Sequence, residues 1–231
     1  DIVMTASAAM QEYLAEAYRI AYYQNSDNPY ISTSSLATVL DVSAPAVTRM
    51  VQRLKEAGFL DHEPYRGIKL TEKGEMEALK NIRSHRLVER FLVDVMGFGW
   101  HEVHDSADEL GAVVSDMLVQ RIAEMTDHPR RCPHGEPIPT AEGFMPRVID
   151  YPLSEVDEGQ EYVISRVNTH DEEKLRYFDT LGIKPGVKFS FEVRAPFNGP
   201  LQIKLSKDSV HLGHELAGVL RVCSEEEFAV V

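Results

Sequence analysis

The first third of the chain alternates between apolar stripes of helical spacing and short segments of turn residues. Apolar side chains from Met10 to Ala21 follow the i, i+3, i+4 rule and predict a first helix. The turn-forming stretch Asn25–Tyr30 ends that helix, and a short second helix is predicted over Leu36–Leu40. Asp41–Ser43 then predicts a tight turn, so only a few residues separate this helix from the next element.

A third helix is predicted from its N-cap, its apolar face and the glycine that ends it. Ser43 is a suitable N-cap, and Pro45 falls in the first turn, where its missing N–H does no harm. Gly58 is a fitting C-terminal stop. Two short alternating runs, 59–63 and 68–71, flank the sequence PYRG and predict a β-hairpin, which completes the order of a winged helix-turn-helix. The apolar stripe of the third helix consists of Val47, Met50, Val51 and Leu54.

The outward face of the third helix has the composition of a surface that reads DNA. A helix in the major groove needs small residues at its N-terminus and a polar, partly basic outer face. Arg66 and Lys69 on the hairpin are placed to reach phosphate groups. The alternative is a helical hairpin with a solvated basic face, but the β-hairpin that follows makes the DNA-binding pattern more specific. The candidate DNA-contacting residues on the helix are Ser43, Ala46, Thr48 and Arg49.

Two longer helices and a small β module are predicted beyond the hairpin. One helix runs from Thr71 to about Met96, where the sequence GFG stops it, and another from about Asp105 to Met125. Residues 145–158 have the composition of a linker, and a strand, a short helix and three further strands then predict a barrel-like module. The fold is therefore predicted to be mainly α with a small β module. The helix from Asp105 is predicted to bury Leu110, Val113, Val114, Met117 and Leu118.

A histidine and a carboxylate interrupt the apolar row of the long helix. His85 and Glu89 share one helical face with apolar residues, and His104 and Asp108 repeat the same i, i+4 spacing in the next helix. Burying an unpaired carboxylate is costly, and at this spacing a histidine and a carboxylate both reach one cation. Two packed helices would bring His85, Glu89 and His104 to one point. The alternative for each histidine is a hydrogen-bonded core or surface position.

Three further residues are candidate metal ligands. Glu12 lies on the first helix, and Cys132 and His134 stand two positions apart in the Pro-rich stretch RRCPHGEPIPT. The latter pair is either half of a metal site or part of a structural turn. Catalysis has little support, because the chain has no Gly-rich phosphate loop, nucleophile elbow or H-E-x-x-H, and Pro133 favours a fixed turn over a nucleophile–base pair. The other histidines are expected to be surface or core residues: His101, His128, His170, His211 and His214.

Charge and cysteine content limit the class of protein. The formal net charge of −13 argues against nonspecific coating of nucleic acid, although the decamer Ala46–Lys55 carries three basic residues and no acid. Two widely separated cysteines argue against a disulfide framework and fit a reducing cytoplasm. No apolar run approaches the roughly 18 residues of a membrane span, and no signal-peptide pattern is found. We therefore expect a cytoplasmic protein without membrane contact.

These features together resemble one family. The winged helix-turn-helix, followed by SHRLVERFL, EVHDSADEL and CPHGEPIP, resembles the metal-dependent repressors of the diphtheria toxin repressor and manganese transport regulator family. The resemblance implies a homodimer that binds a palindromic DNA operator when a divalent metal ion is bound. It also implies a DNA-binding domain over 1–74, a helical dimerisation and metal-binding domain over 75–147, a linker over 148–158 and an SH3-like, FeoA-type β-barrel over 159–231.

The resemblance implies roles for individual residues. His85, Glu89 and His104 match an ancillary metal site, which an acidic residue near Asp171 should reach from the SH3-like module. Glu12 and Asp108 fall at ligand positions that hold Met and Cys in iron-responsive members and Asp and Glu in manganese-responsive ones. Carboxylates at both positions suit Mn²⁺ better than softer donors would. The positions that match operator contacts are Ser43, Pro45, Ala46, Thr48 and Arg49.

One departure from the family pattern concerns the second metal site. Gly111 and Ala112 occupy positions where the family usually has Glu and His, and neither can bind a metal. Cys132 and His134 are then candidates to fill this site or enlarge the first one, and Glu109 is a weaker substitute. Alternatively, one metal ion per subunit suffices.

The leading hypothesis is a metal-activated transcriptional repressor of manganese or iron uptake genes. Mn²⁺ is the expected metal and Fe²⁺ the alternative. A second hypothesis is a winged-helix regulator that senses another ligand, in which the His/carboxylate cluster is only structural. A metalloenzyme is the third, but it would need an open coordination position and a substrate-sized pocket, so we expect no enzyme.

Overall fold

The computed structural model describes residues 6–24 and 27–231. These divide into two compact units, one of residues up to 84 together with 139–144, and the other of residues 85–138 together with 145–231. The predicted turn over Asn25–Tyr30 lies partly outside the described residues, which omit Asn25 and Ser26. Within the described residues, no helix has both the length and the apolar character that a membrane crossing requires.

The first unit is a winged helix-turn-helix, as predicted. Its elements are α1 (Ala8–Tyr23), α2 (Thr33–Leu40), α3 (Ala44–Glu56), β1 (Leu60–Glu63) and β2 (Gly67–Leu70). Strands β1 and β2 pair in antiparallel register, and Ile31 adds a short bridge to Ile68. Gly67 permits this bridge, because a Cβ atom there would lie 2.2 Å from the carbonyl oxygen of Ile31. The core of the unit includes Leu14, Leu36, Val47, Leu54 and Phe59.

The long helix and its successor differ in how well the sequence predicts them. Helix α4 (Glu72–Asp94) agrees with its prediction. The single helix predicted over Asp105–Met125 is wrong, because the chain forms two helices, α5 (His104–Gly111) and α6 (Asp116–Met125). Ser115 is extended and its hydroxyl accepts a hydrogen bond from Leu118 N, so it starts a new helix where the periodic pattern alone suggests continuity.

The side chains predicted to be buried on this segment are largely exposed. Val113 and Met117 are 78% and 79% exposed, because the break between α5 and α6 turns the apolar row away from α4. The buried contacts of α4 in this region are instead made by Val103 and Ala107 on one side and by Ala123 and Ile138 on the other. Five large apolar side chains on α5, on α6 and in the turn between them are therefore exposed: Leu110, Val113, Met117, Leu118 and Met125. We refer to this set as the apolar face of α5 and α6.

The C-terminal part of the second unit is an antiparallel β module. Six strands pair in the order β3-β8-β4-β5-β6-β7, and α7 (Glu172–Leu181) packs Leu175 and Phe178 into their core. Trp100, which precedes α5, is buried in the same core. The strands are β3 (Tyr151–Pro152), β4 (Gln160–Val167), β5 (Lys188–Arg194), β6 (Leu201–Leu205), β7 (Asp208–Leu212) and β8 (Leu220–Cys223); the short helices are α8 (His214–Gly218) and α9 (Glu225–Ala229).

The segment predicted as a linker is partly integrated into this module. Tyr151 and Pro152 pair with β8, and Leu153 is fully buried, so the prediction of a linker over 148–158 is wrong for these residues. Asp150 accepts hydrogen bonds from Arg166 Nε at 2.6 Å and from Arg221 Nε at 3.0 Å. This buried carboxylate joins the start of the module to β4 and β8.

Candidate metal centre and nucleic-acid interface

Glu89 is the centre of a cluster of buried donor atoms. Helix α4 places His85 and Glu89 on its buried face, with His85 Nε2 3.2 Å from Glu89 Oε1. Helix α5 begins at His104, whose Nδ1 atom lies 3.5 Å from the same oxygen. The Glu89 side chain is only 2% exposed, so its charge needs compensation from within the protein.

The Pro-rich loop of residues 131–139 places a third imidazole next to Glu89. Residues 131–139 are buried apart from a partly exposed Glu136, and the loop closes on itself through a bond from Cys132 N to the carbonyl oxygen of Glu136. His134 Nδ1 lies 3.5 Å from Glu89 Oε1. Its Nε2 lies 2.7 Å from the carbonyl oxygen of Trp100, which can only accept, so Nε2 carries the proton and Nδ1 faces the carboxylate.

The loop is also attached to the β module. Val167 N in β4 donates to the carbonyl oxygen of His134 at 2.9 Å. Gly135, at φ +93°, permits this approach, because a Cβ atom there would lie 2.2 Å from the carbonyl oxygen of Ser165. The loop is therefore fixed against the β module, and it places donor atoms of Cys132 and His134 within 4.8 Å of a Glu89 oxygen. A role of this pair as metal ligands stays a prediction.

Two overlapping groups of residues have donor atoms close enough together to share a metal ion. His85, Glu89 and His104 form one group, and Glu89, Cys132 and His134 form the other, each with its donor atoms within 4.8 Å of one another. Among the described residues, Glu89 Oε1, His104 Nδ1 and His134 Nδ1 are buried without a well-aligned hydrogen bond. In tetrahedral zinc sites the donors lie about 2.0–2.3 Å from the ion, which separates neighbouring donors by about 3.3–3.8 Å. The spacing around Glu89 fits a cation at this position.

The pKa values of Glu89 and His134 are shifted by burial and by the charged groups beside them. Burial would raise the pKa of Glu89, but the rings of His104, His134 and His85 hold it well below its ordinary value. Burial would lower the pKa of His134, but Cys132 and Glu89 raise it to about 11. Without a cation His134 therefore holds a proton on both ring nitrogens, and the proton on Nδ1 must leave when a cation binds there.

Two of the predicted ligands make other contacts. Asp108 Oδ1 lies 2.9 Å from His85 Nδ1, and Asp108 belongs to neither donor group found in the described part of the chain. Asp171 is exposed and caps α7 by accepting from Lys174 N at 2.9 Å. The neighbouring His170 is the residue that reaches the cluster, with its ring stacked on that of His104 at 3.7 Å between centroids. Helical spacing gives no signal for this residue, since it precedes α7.

Three other positions complete the comparison with the predicted ligands. Glu12 is exposed on α1 in the first unit, and its role as a ligand stays a prediction. Glu109 is exposed on α5. Gly111 is buried, and a Cβ atom there would lie 3.1 Å from His85 Cα. A larger side chain at this position would press on the backbone of α4.

The predicted DNA-reading face lies on the solvent side of α3. Ser43 caps the helix by accepting from Ala46 N, while Pro45, Thr48 and Arg49 are exposed. On the hairpin, Arg66 is exposed but engaged, because it donates to Glu63 Oε2 at 2.7 Å and lies over the ring of Tyr30. Lys69 is exposed on β2. The face thus has the small N-terminal residues and the basic side chain that close approach to a groove requires.

Comparison with known sequences covers nearly the whole chain. Residues 5–68 match the iron dependent repressor N-terminal DNA binding domain, residues 71–140 match the iron dependent repressor metal binding and dimerisation domain, and residues 151–223 match the FeoA domain. The iron-dependent repressor IdeR of Mycobacterium tuberculosis is 31% identical over 199 residues, which cover 81% of this chain and 86% of that protein. The diphtheria toxin repressor of Corynebacterium glutamicum is 30% identical over 197 residues, or 81% of this chain and 85% of that one.

Solved structures of metal-dependent repressors also resemble this chain. A manganese-dependent transcriptional repressor in complex with manganese is 33% identical, with a TM-score of 0.84 over 93% of this chain and 99% of that one. ScaR with bound Cd²⁺ is 27% identical, with a TM-score of 0.75 over the same shares. The fold and the donor cluster thus define a DNA-binding regulator with a metal-binding and dimerisation domain. The chain belongs to the diphtheria toxin repressor family of metal-dependent transcriptional repressors, a family of DNA-binding proteins and not of enzymes.

Proposed function

We propose that this chain represses metal-uptake genes by binding a palindromic operator as a homodimer when Mn²⁺ occupies the cluster around Glu89. The observation that carries the proposal is the convergence of three imidazole nitrogens on one buried carboxylate oxygen at 3.2–3.5 Å. A wholly structural cluster would align hydrogen bonds to satisfy this oxygen. Glu89 Oε1 instead lacks a well-aligned hydrogen bond within the described residues. The same lack is expected of an oxygen whose partner is a metal ion.

The proposed ligands are His85, Glu89, His104, Cys132 and His134. They come from α4, from the start of α5 and from the Pro-rich loop, so a bound cation supplies positive charge that holds three segments together. Glu89 is shared by both donor groups, and we propose that it contacts the ion in either arrangement. Glu12 remains a proposed additional ligand, and a carboxylate from the segment at Asp171 a further one. The ion can shift the protein between two states only through its different affinity for them.

Mn²⁺ is the proposed metal and Fe²⁺ the alternative. The carboxylate of Glu89 is a hard donor that suits Mn²⁺, whereas the thiol of Cys132 and the imidazoles suit softer ions such as Fe²⁺. The mixed ligands around Glu89 are therefore less selective for Mn²⁺ than a site formed by the carboxylates of Glu12 and Asp108 would be. A manganese complex is known for a relative 33% identical to this chain, and that likeness favours Mn²⁺.

Helix α3 is the proposed reading helix. Ser43, Pro45, Ala46, Thr48 and Arg49 would approach the major groove, and Arg66 and Lys69 the phosphates. The chain has a net charge of −13, so attraction to DNA must be local to this face. We therefore expect weak operator binding at physiological salt until the metal favours the spacing of two reading helices in one dimer.

Metal dependence is the direct test of the proposed function. Duplexes selected from a random library with the Mn²⁺-loaded protein should bind at least about 10-fold more weakly after treatment with EDTA, a loss of about 1.4 kcal/mol. Adding Mn²⁺ back in excess should restore binding, and a parallel titration with Fe²⁺ under anaerobic conditions compares the two metals. Operator affinity that is unchanged by EDTA would favour the other interpretation, a winged-helix regulator that senses a different ligand.

The apolar face of α5 and α6 is the proposed dimer contact. Met117→Glu should raise the dimer dissociation constant by about 30-fold or more. Met117 is exposed in the single chain, and the proposed contact would bury the introduced charge. Sedimentation velocity over a concentration series measures this change. Val193→Glu is the matched control, since Val193 is 45% exposed on β5 and lies outside this face. Equal dissociation constants for wild type and Met117→Glu would place the contact elsewhere.

A further inference from the structure

Asp108 faces the two histidines of α4 and α5 from the side opposite Glu89. Its Oδ1 atom lies 2.9 Å from His85 Nδ1, and its Oδ2 atom lies 3.5 Å from His104 Nε2. The other ring nitrogens, His85 Nε2 and His104 Nδ1, point at Glu89 Oε1. Each imidazole therefore has one nitrogen directed at the proposed ion position and one directed at Asp108.

A carboxylate in this position has a known physical effect on a ligand histidine. When it accepts the N–H of one ring nitrogen, the lone pair of the other nitrogen is left for the metal and the ring is fixed in orientation. Asp108 is separated from Glu89 Oε1 by the imidazole rings and is absent from both donor groups among the described residues. Its side chain is 60% exposed, as suits a group at the edge of the cluster.

We propose that Asp108 is a positioning residue that orients His85 and His104, and that it is not itself a metal ligand. This role rests on the proposed function, in which the cluster around Glu89 binds a divalent cation. His85 receives the stronger effect, because its contact with Asp108 is the shorter one. The carboxylate at position 108 thus acts on the metal through the rings.

Gly111 makes the Asp108–His85 contact possible. It lies one turn beyond Asp108 on α5 and packs against the α4 backbone, where a Cβ atom would lie 3.1 Å from His85 Cα and 3.3 Å from His85 N. Contacts of that length are too tight for a side chain unless α4 or α5 gives by a few tenths of an ångström. We expect that displacement to lengthen the 2.9 Å contact between His85 and Asp108. The missing side chain at position 111 is therefore part of the positioning device.

The experiment compares Asp108→Asn and Asp108→Ala in the full chain, with metal stoichiometry and affinity measured by calorimetry using Mn²⁺ alone. The positioning role predicts unchanged stoichiometry for both variants. Asp108→Ala should lower the affinity by about 10–100-fold, the usual cost of losing an outer partner of a ligand histidine. Asp108→Asn should retain most of the affinity, because its amide oxygen still accepts from the ring. The absorption spectrum of the Co²⁺-loaded protein should be the same in wild type and both variants.

Different failures have different signatures. Equal losses in Asp108→Asn and Asp108→Ala, with a changed Co²⁺ spectrum, would make Asp108 a ligand and overturn the positioning role. If the wild-type chain took up neither Mn²⁺ nor Fe²⁺, the proposed function itself would fail. Circular dichroism of each variant verifies that the helices are retained.

Gly111→Ala provides an independent measurement. It should lower Mn²⁺ affinity in the same direction as Asp108→Ala, and the double variant should lose little more than the worse single variant, because both changes break one contact. Ala112→Ser is the matched control, since Ala112 is exposed at the end of the same helix. If the losses of Mn²⁺ affinity from Asp108→Ala and Gly111→Ala were fully additive in free energy, the two substitutions would not act on one shared contact.

Discussion

Glu89→Gln should abolish metal-dependent operator binding while leaving the chain folded. Glutamine preserves the shape of the side chain but removes the charge and one acceptor oxygen at the point where His85, His104 and His134 converge. Because Glu89 belongs to both donor groups, no alternative group remains intact. We expect the Mn²⁺ affinity to fall by more than about 100-fold, beyond the usual cost of losing an outer partner. Calorimetry and operator titration measure the two effects.

Two control variants separate metal binding from DNA binding. Glu109→Gln removes an exposed carboxylate of α5 and should leave both activities unchanged, which also tests its role as a substitute ligand. Arg49→Ala on the exposed face of α3 should weaken operator binding while leaving Mn²⁺ affinity intact. Full metal-dependent repression by Glu89→Gln would show that the cluster is structural.

Asp150→Asn should have the largest effect on stability. The Asp150 side chain is 2% exposed and compensates Arg166, which is 7% exposed, and Arg221. Removing one partner of a buried ion pair costs about 3–5 kcal/mol. Arg166 keeps its pair with Glu136 at 3.0 Å, so we expect a loss near the lower end, about 3 kcal/mol. Urea denaturation at pH 7 measures this loss. Asp179→Asn is the control, since its pair with Lys184 is about half exposed and should contribute less than about 1 kcal/mol.

The same carboxylate should make the protein sensitive to acid. Burial would raise the pKa of Asp150, but hydrogen bonds and charges of Arg166 and then Arg221 hold it below its ordinary value. The folded state therefore binds the proton less tightly than the unfolded chain does. The stabilisation is complete above the unfolded-state pKa of about 4 and disappears as the pH falls through the lower folded-state pKa. The stability difference between wild type and Asp150→Asn should shrink over that window, and a constant difference would contradict this origin.

Helical spacing predicts much of the candidate site because its central residues obey it. His85 and Glu89 are one turn apart on a helix whose length is predicted correctly, and the start of the next helix at His104 follows from the same pattern. The proximity of Cys132 and His134 to Glu89 has no such local signal. It depends on how a Pro-rich loop packs between α4 and β4, so it emerges only from tertiary structure.

The errors have physical causes of the same kind. The break between α5 and α6 depends on Ser115 forming an N-cap, while the apolar spacing continues through it. The contact of His170 with His104 depends on where the β module meets α5, and the role of the Trp100 carbonyl oxygen depends on a backbone group that no side-chain pattern reveals. The exposed apolar row of α5 and α6 was predicted as core because periodicity identifies an apolar face and not the surface that covers it.

The tight packing at Gly111 limits which side chains can be introduced on this face of α5. A ligating glutamate at this position would first need space that the α4 backbone fills. Substituting residues 111 and 112 in a single step would therefore disturb His85 before it created a new metal site. A second metal site designed at positions 111 and 112 is therefore expected to need wider spacing between α4 and α5 in addition to the two new ligands.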